Sequence, residues 1–424
     1  MPPTSEGETM DRRAFLQAAA LCAGGALPLL RATDAHAASD LKITRIRVFN
    51  PVDKTDMSGP LGLSEMIVAV DTDAGVTGFG QGGTADLLRY ASSLLIGQDP
   101  FRTEYLWQRM YRTSIYPAGR ERLMAVGALD CALWDIKGKV LGQPVYQLLG
   151  GRAREHVECY RSFGGLQRGQ AKQQARKTME EGYRAIRFHT VPTDDNLTFD
   201  TRRMIDLFVA ISAELREGLG KDGDFIVDAH TRFDFADVAR LCDLVAPYAP
   251  LFVEDPLHTI DDYTMFAALR RRVTVPLAAG EQFGDLRDGN LPLVEQGLID
   301  YLRTSIPNCG GITAYRRLAV LCEAHSVGLV PHFTPPIGTA AVIHSVLPFA
   351  GVVVNEVLRP ELPAYLNEGA VFRNGKMHPS DRPGLGVVLD QSRVNQIAEF
   401  TERAPASLYQ GESLHRPDGS HLYL

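Results

Sequence analysis

Residues Phe225–His230 read FIVDAH, Leu251–Pro256 read LFVEDP and Pro276–Phe283 read PLAAGEQF. Each is a short apolar run that ends in an acid: Asp228, Glu254 and Glu281. Runs that are apolar at consecutive positions suit strands buried on both faces, as in a parallel sheet. A carboxylate is almost never fully buried unless it is paired or bound to a metal, so these acids are not core filling. Their spacing is roughly one β/α unit, which brings strand-end residues together at one mouth of a parallel barrel. Three oxygen donors without cysteine suit a hard divalent cation, Mg²⁺ first.

The same grammar extends on both sides. VECYR from Val157, AIRFHT from Ala185, IDYLRTS from Ile299, GLVPHF from Gly328 and VVVNEV from Val352 complete a set of eight runs. Most starts are separated by roughly 25 residues, the period of a β/α barrel. Amphipathic stretches such as Phe235 to Val245 and Ile312 to Ala324 fall between them. The fold class expected is α/β: a modified (β/α) barrel with an α+β capping domain. No GxGxxG follows a first strand, which disfavours a dinucleotide fold.

Before the barrel, ITRIRVF and EMIVAVDTDAGVTGFG alternate as strands do, with a hairpin signal at Asp71 to Gly75. Met124 to Leu141 has helical periodicity and stops at Gly142-Gln-Pro144. After Tyr365 the rhythm is lost, and that end is expected to pack back on the first domain. The division read from sequence is a leader over 1–37, a capping domain over 38–155, the barrel over 156–360 and a returning segment over 361–424.

The leader carries Arg12-Arg13, a small apolar run from Ala18 to Leu30 and Ala35-His36-Ala37. That order is a twin-arginine signal with its cleavage site. The apolar run is too short for a spanning helix, so no membrane association is expected after cleavage. The expected partner is the twin-arginine export machinery and the expected location the periplasm. The chain has 424 residues, 45% of them hydrophobic, and a net charge of −7, with no basic tract for nucleic acid. Cysteines 131, 159, 242, 309 and 322 form no CxxC pair, which leaves zinc and redox readings unsupported.

Polar residues at strand ends form a short set. They are Arg161; Arg187 and His189; Asp228 and His230; Glu254 and Asp255; Glu281 and Gln282; Arg303 and Ser305; His332; Asn355 and Glu356. Three histidines and three acids at one mouth are hard to explain by packing. His230 lies two residues from Asp228 and so on the same side of its strand. Asp255, before Pro256, reads as a helix start. Arg303 reads equally as a partner for a ligand carboxylate and as a substrate contact. Arg161 is a further substrate contact. In the capping loops Asn50 to Ser64 and Thr113 to Arg122, Tyr116 and Arg120 are the candidates.

These features resemble the enolase superfamily, in its mandelate racemase and acid-sugar dehydratase branch. ALDCALWDIKGKVLGQPVYQLLGG, Ala128 to Gly151, is similar to the family's passage from cap to barrel. DYLRTSIPNCGGIT, MHPSDRPGLGV and DGSHLYL resemble the mannonate dehydratase subgroup. The resemblance implies Mg²⁺ on Asp228, Glu254 and Glu281. It also implies His230 and His332 as dehydratase histidines, Glu356 near the substrate carboxylate, Arg187 as a functional arginine and His189 at the strand-two base position. Two departures stand out. Ser305 replaces the aspartate that often backs the strand-seven histidine, and the loop Thr190 to Phe199 is short and lacks tyrosine. The second points away from mannonate itself.

The chemistry expected is removal of the proton next to a carboxylate through an enediolate. The leading expectation is dehydration of an aldonate-type sugar acid to a 2-keto-3-deoxy acid, with His332 or His189 taking the proton and His230 aiding the leaving group. The alternatives are a racemase, epimerase or cycloisomerase on the same scaffold, and a non-catalytic sugar-acid binder. A homo-oligomer is expected.

Overall fold

The computed structural model describes residues 41–52, 66–113, 119–190, 198–258, 264–284, 289–404 and 414–422. The leader and Tyr116 lie outside the described residues. Among the described residues no helix is long and apolar enough to cross a membrane.

Strands β1 (Ile43–Pro51), β2 (Ile67–Thr72) and β3 (Thr77–Gln81) form an antiparallel meander. The C-terminal strand Val394–Phe400 adds to the free edge of β1, giving a four-stranded sheet built from both ends of the chain. Helices α1 (Ala85–Ser93), α2 (Thr103–Arg112) and α3 (Gly119–Val140) follow. β3 reads TGFGQ, and its two glycines set the distance to α3. A Cβ on Gly80 would stand 1.8 Å from the Ala128 carbonyl oxygen, and one on Gly78 would stand 2.1 Å from that of Ala132. Only glycine lets strand and helix backbones come this close.

Two buried acids of α3 tie the helix to its surroundings. Asp130 accepts from the Thr313 backbone N at 2.8 Å and from its hydroxyl at 2.7 Å. Asp135 accepts from Phe79 N at 2.9 Å, Leu385 N at 2.7 Å and Lys139 Nζ at 2.7 Å. One acid therefore reaches the barrel and the other reaches both β3 and the C-terminal segment.

The barrel is made of β4 (Val157–Gly164), β5 (Ala185–His189), β6 (Asp224–Asp228), β7 (Phe252–Glu254), β8 (Leu277–Ala279), β9 (Tyr301–Leu302), β10 (Gly328–Leu329) and β11 (Val354–Val357). They pair in parallel in that order from β4 to β10. β11 pairs with β4, and a bridge between Leu329 and Val353 closes the ring. Tyr160, Ala185, Ile226, Phe252, Ala278 and Val354, from six strands, and Val330, just past β10, form a buried cluster of their own, with Tyr301 packed against it. They are the barrel's interior layer, distinct from the larger core outside it. The five cysteines of the described residues are buried and unbridged.

Candidate active site

Side chains of a strand return to the same face every second residue. Two residues beyond the interior layer stand Ser162, Arg187, Asp228, Glu254, Gly280, Arg303, His332 and Glu356. This ring is where the apolar interior ends. Arg187, Asp228, Glu254, Arg303, His332 and Glu356 are all buried there.

The two guanidiniums organise it. Arg187 donates from Nε to Glu254 at 2.9 Å and from Nη2 to Asp228, while Nη1 reaches Ser162 Oγ at 2.8 Å and His189 Nδ1 at 3.3 Å. Arg303 is fully buried. Its Nε stands 2.8 Å from Glu254, Nη1 stands 2.9 Å from Glu281 and Nη2 donates to Glu356 at 2.8 Å. The first two of these contacts have ion-pair distances but lack hydrogen-bond alignment. Glu356 also accepts from Phe333 N at 3.1 Å.

At the ring position of β8 the chain has glycine. Gly280 takes φ +143, and a Cβ there would lie 3.0 Å from the Arg303 backbone. The turn sets Glu281 one residue out of the alternation. It is then held by Arg303 and by His332 Nε2 at 3.1 Å.

Asp228 and Glu254 are direct neighbours across β6 and β7. With Asp255 they bring three carboxylate oxygens within 4.8 Å of one another. Glu281 does not join that group at ligand distance. Asp255 corrects the reading of a helix start: it is 2% exposed, takes φ +42, and its Oδ1 has no hydrogen-bond partner. His230 (φ 51) and Thr231 (φ 59) are also left-handed. Asp228 Oδ1 accepts from His230 N at 2.7 Å, and Thr231 N donates to Asp255 O at 2.8 Å, which hold these strained turns.

Charge and burial compete at each group. Burial alone would raise the Asp228 carboxyl, but Arg187 and His230 hold it below the usual carboxylate range. Burial prevails at Glu254, which is pushed up despite Arg187 and Arg303. Burial and then Glu281 push Asp255 well up. Glu356 is buried too, yet Arg303 and Arg187 bring it down to about 2. Burial lowers His332 to about 4, and burial with Arg187 lowers His189 to about 4. His230 moves upward because Asp228 bonds its Nδ1 at 2.9 Å.

A cation fits this donor set. Four carboxylates, Asp228, Glu254, Glu281 and Glu356, share two guanidiniums, and Glu254 Oε2, Asp255 Oδ1, Glu281 Oε2 and Glu356 Oε1 are buried without a hydrogen bond. Unpartnered buried oxygens of this kind call for a bound ion. Hard oxygen donors suit a divalent metal.

Two expected contacts do not reach the site. Arg161 follows Tyr160, which faces inward, so its own side chain faces out; it pairs with Glu181 and lies over Phe163. Ser162 occupies the ring position instead. Arg303 is 0% exposed and stands at ion-pair distance from three carboxylates, so it positions them and is closed to a substrate. Ser305 is buried with its hydroxyl unpartnered, as is His332 Nδ1. Ser162 and Asp255 are the residues that sequence reasoning missed. Counting by twos from Tyr160, and the Glu-Asp doublet at a strand end, were the available signals.

An eight-stranded barrel with an acid-rich mouth and a cap built from both chain ends defines an enzyme of the enolase class. Residues 170–393 match the family described as enolase C-terminal domain-like, and residues 58–150 match the mandelate racemase / muconate lactonizing enzyme N-terminal domain. The chain belongs to this family. It is 32% identical over 365 residues to a D-mannonate dehydratase of Sphingomonas sp. (strain SKA58), covering 78% of this chain and 90% of the relative. It is likewise 32% identical over 376 residues to a D-galactonate dehydratase of Pectobacterium atrosepticum, covering 84% and 95%. A crystal structure of an enolase superfamily member from Salmonella Typhimurium superposes with a TM-score of 0.76 at 25% identity, over 84% of this chain and all of that one. An enolase from Pantoea ananatis, crystallised with D-gluconate and Mg, gives a TM-score of 0.75 at 27% identity, over 83% and 93%.

Proposed function

We propose that this protein is a Mg²⁺-dependent hydro-lyase that dehydrates an aldonate-type sugar acid to a 2-keto-3-deoxy acid. The observation that carries this reading is a pair of differently prepared histidines beside one carboxylate cluster. His332 stands with its Nε2 3.1 Å from Glu281, and its Nδ1 is buried without a hydrogen-bond partner. His230 gives its Nδ1 hydrogen to Asp228 at 2.9 Å, and its ring is 39% exposed. The relatives named as mannonate and galactonate dehydratases, and the neighbour crystallised with D-gluconate and Mg, support the substrate class and the metal.

In this scheme Asp228 and Glu254, whose oxygens already converge with Asp255, would hold the ion together with Glu281. Mg²⁺, when bound, stabilises the negative charge that develops on the substrate carboxylate as the α-proton leaves. His332 accepts that proton. The electron pair of the broken C–H bond forms a carbon–carbon double bond as the C–O bond to the 3-hydroxyl breaks. His230 supplies the proton with which the hydroxyl departs as water, and the enol becomes the ketone. Arg303, buried beneath, fixes Glu254, Glu281 and Glu356 in place. Acid or base help of this kind is worth about 10²–10⁴-fold.

The test is to incubate the mature protein and Mg²⁺ with a panel of aldonic, uronic and aldaric acids. Loss of one water from a panel member, abolished by a chelator and restored by Mg²⁺, is the expected result. We further propose that the mature protein reaches the periplasm by twin-arginine export. Replacing Arg12 and Arg13 together by lysine is expected to retain it in the cytoplasm.

A further inference from the structure

We infer that His189 is a neutral hydrogen-bond donor to the substrate, fixed in that form by Arg187, and that the site therefore has a proton acceptor on one face only. The role assigned to His189 rests on the dehydratase reading; its tautomer does not. A guanidinium has donors and no acceptor. Arg187 Nη1 lies 3.3 Å from His189 Nδ1, so Nδ1 must accept and the ring hydrogen must sit on Nε2. An imidazolium would set N–H against N–H. Asp228 Oδ2 is no competing acceptor for Nδ1: it lies 3.7 Å away and already receives Arg187 Nη2 and His230 Nδ1.

Arg187 is itself immobilised. Its side chain is 6% exposed, and its other bonds run to Glu254, Ser162 and Asp228. Turning His189 into a base would require breaking this set. The opposite edge of the ring lies in a notch at the end of β4. A Cβ on Gly164 would stand 3.2 Å from His189 Nε2 and 3.1 Å from Cε1, and Gly165 N donates to His189 O at 3.1 Å. The His189 side chain is 19% exposed and its ring centroid is 5.4 Å from that of His230, so a substrate oxygen held beside the leaving-group proton is within reach of this ring. The partner it suits is an acceptor: a hydroxyl or carboxylate oxygen of the acid. Without a lone pair on the strand-two side, the α-proton leaves and returns by His332 alone, and the α-carbon is not epimerised.

Histidine-selective ¹⁵N labelling of the intact protein, with His189→Gln to assign the ring, reads the tautomer directly. A hydrogen-bearing Nε2 and a lone-pair Nδ1 are expected; the reverse pattern overturns the inference. Kinetics in D₂O supply the second reading. His189→Leu is expected to raise KM about tenfold with kcat lowered less than about threefold, and His189→Gln, which keeps a donor, to restore KM to within about threefold of the parent. Gly164→Ala, which crowds the ring, is expected to raise KM in the same direction. Loss of α-proton exchange in both His189 variants, or formation of both α-epimers by the parent, overturns the inference. If no acid loses water, the dehydratase reading fails while the ¹⁵N spectrum still decides the tautomer.

Discussion

Two groups of buried carboxylates stand in contrast in this molecule. On α3, Asp130 and Asp135 are 0% exposed, and each of their four oxygens accepts a hydrogen bond. At the barrel mouth Asp228, Glu254 and Asp255 are at most 2% exposed, yet oxygens of Glu254, Asp255, Glu281 and Glu356 lack hydrogen bonds. Burial is the same in both places and cannot distinguish them. Partner count does. A saturated acid is a staple between elements, whereas an unsaturated cluster is a site that something else completes.

The sharpest way to break this contrast is to remove one acid from each group. Glu254→Gln is expected to lower kcat/KM by at least about 10³-fold, because the mouth loses a carboxylate ligand with an unpartnered oxygen. The metal-free variant should melt no lower than the parent, since burial pushes Glu254 up and its ionised form opposes folding. Asp135→Ala should do the reverse. It leaves Phe79 N, Leu385 N and Lys139 without their acceptor, and is expected to cost about 4 kcal/mol of stability. Activity per folded molecule should survive. Urea melts and steady-state kinetics on both variants check this; equal behaviour of the two would dissolve the distinction.

The barrel was legible because strands buried on both faces read as unbroken apolar runs, and the acids were legible because they end those runs. What a single strand does not contain is its register against the next. Arg161 and Ser162 both lie near the end of β4, and only its pairing with β5 sets Ser162 level with Arg187. Arg303 looks like any strand-end arginine until Gly280 on the neighbouring strand leaves its place empty. Asp255 was hidden by a local signal, Asp-Pro, that more often starts a helix. The acids of α3 sit within the Ala128–Gly151 signature, but their partners lie more than a hundred residues away for Asp130 and on both sides for Asp135.

Histidines repeat the contrast. His344 is saturated: Tyr146 N donates to its Nδ1 at 3.2 Å, and Nε2 faces Leu385 O at 3.3 Å. Burial lowers its pKa to about 4. The neutral ring is therefore favoured in the fold. Its contribution is present above the unfolded value of about 6.5, falls away as pH drops from there toward about 4, and amounts to about 3 kcal/mol at most. A stability profile between those limits should flatten in His344→Gln. A parent-like slope in the variant would assign the acid loss to other groups.

The smallest effect separates the two acid groups without any substrate. An ion that binds only the folded mouth stabilises it by about 2.7 kcal/mol at a hundredfold excess over Kd. Adding Mg²⁺ to the metal-free parent should raise its melting temperature accordingly. Asp130→Asn, which alters an acid bonded only to Thr313, should start lower and still show the full Mg²⁺ increment. Glu254→Gln should start no lower and show little increment. The increments, not the starting temperatures, test whether the unpartnered oxygens are a cation site, because a general salt effect would act on all three proteins alike. Equal increments in the Glu254→Gln variant and the parent would mean that the ion binds elsewhere.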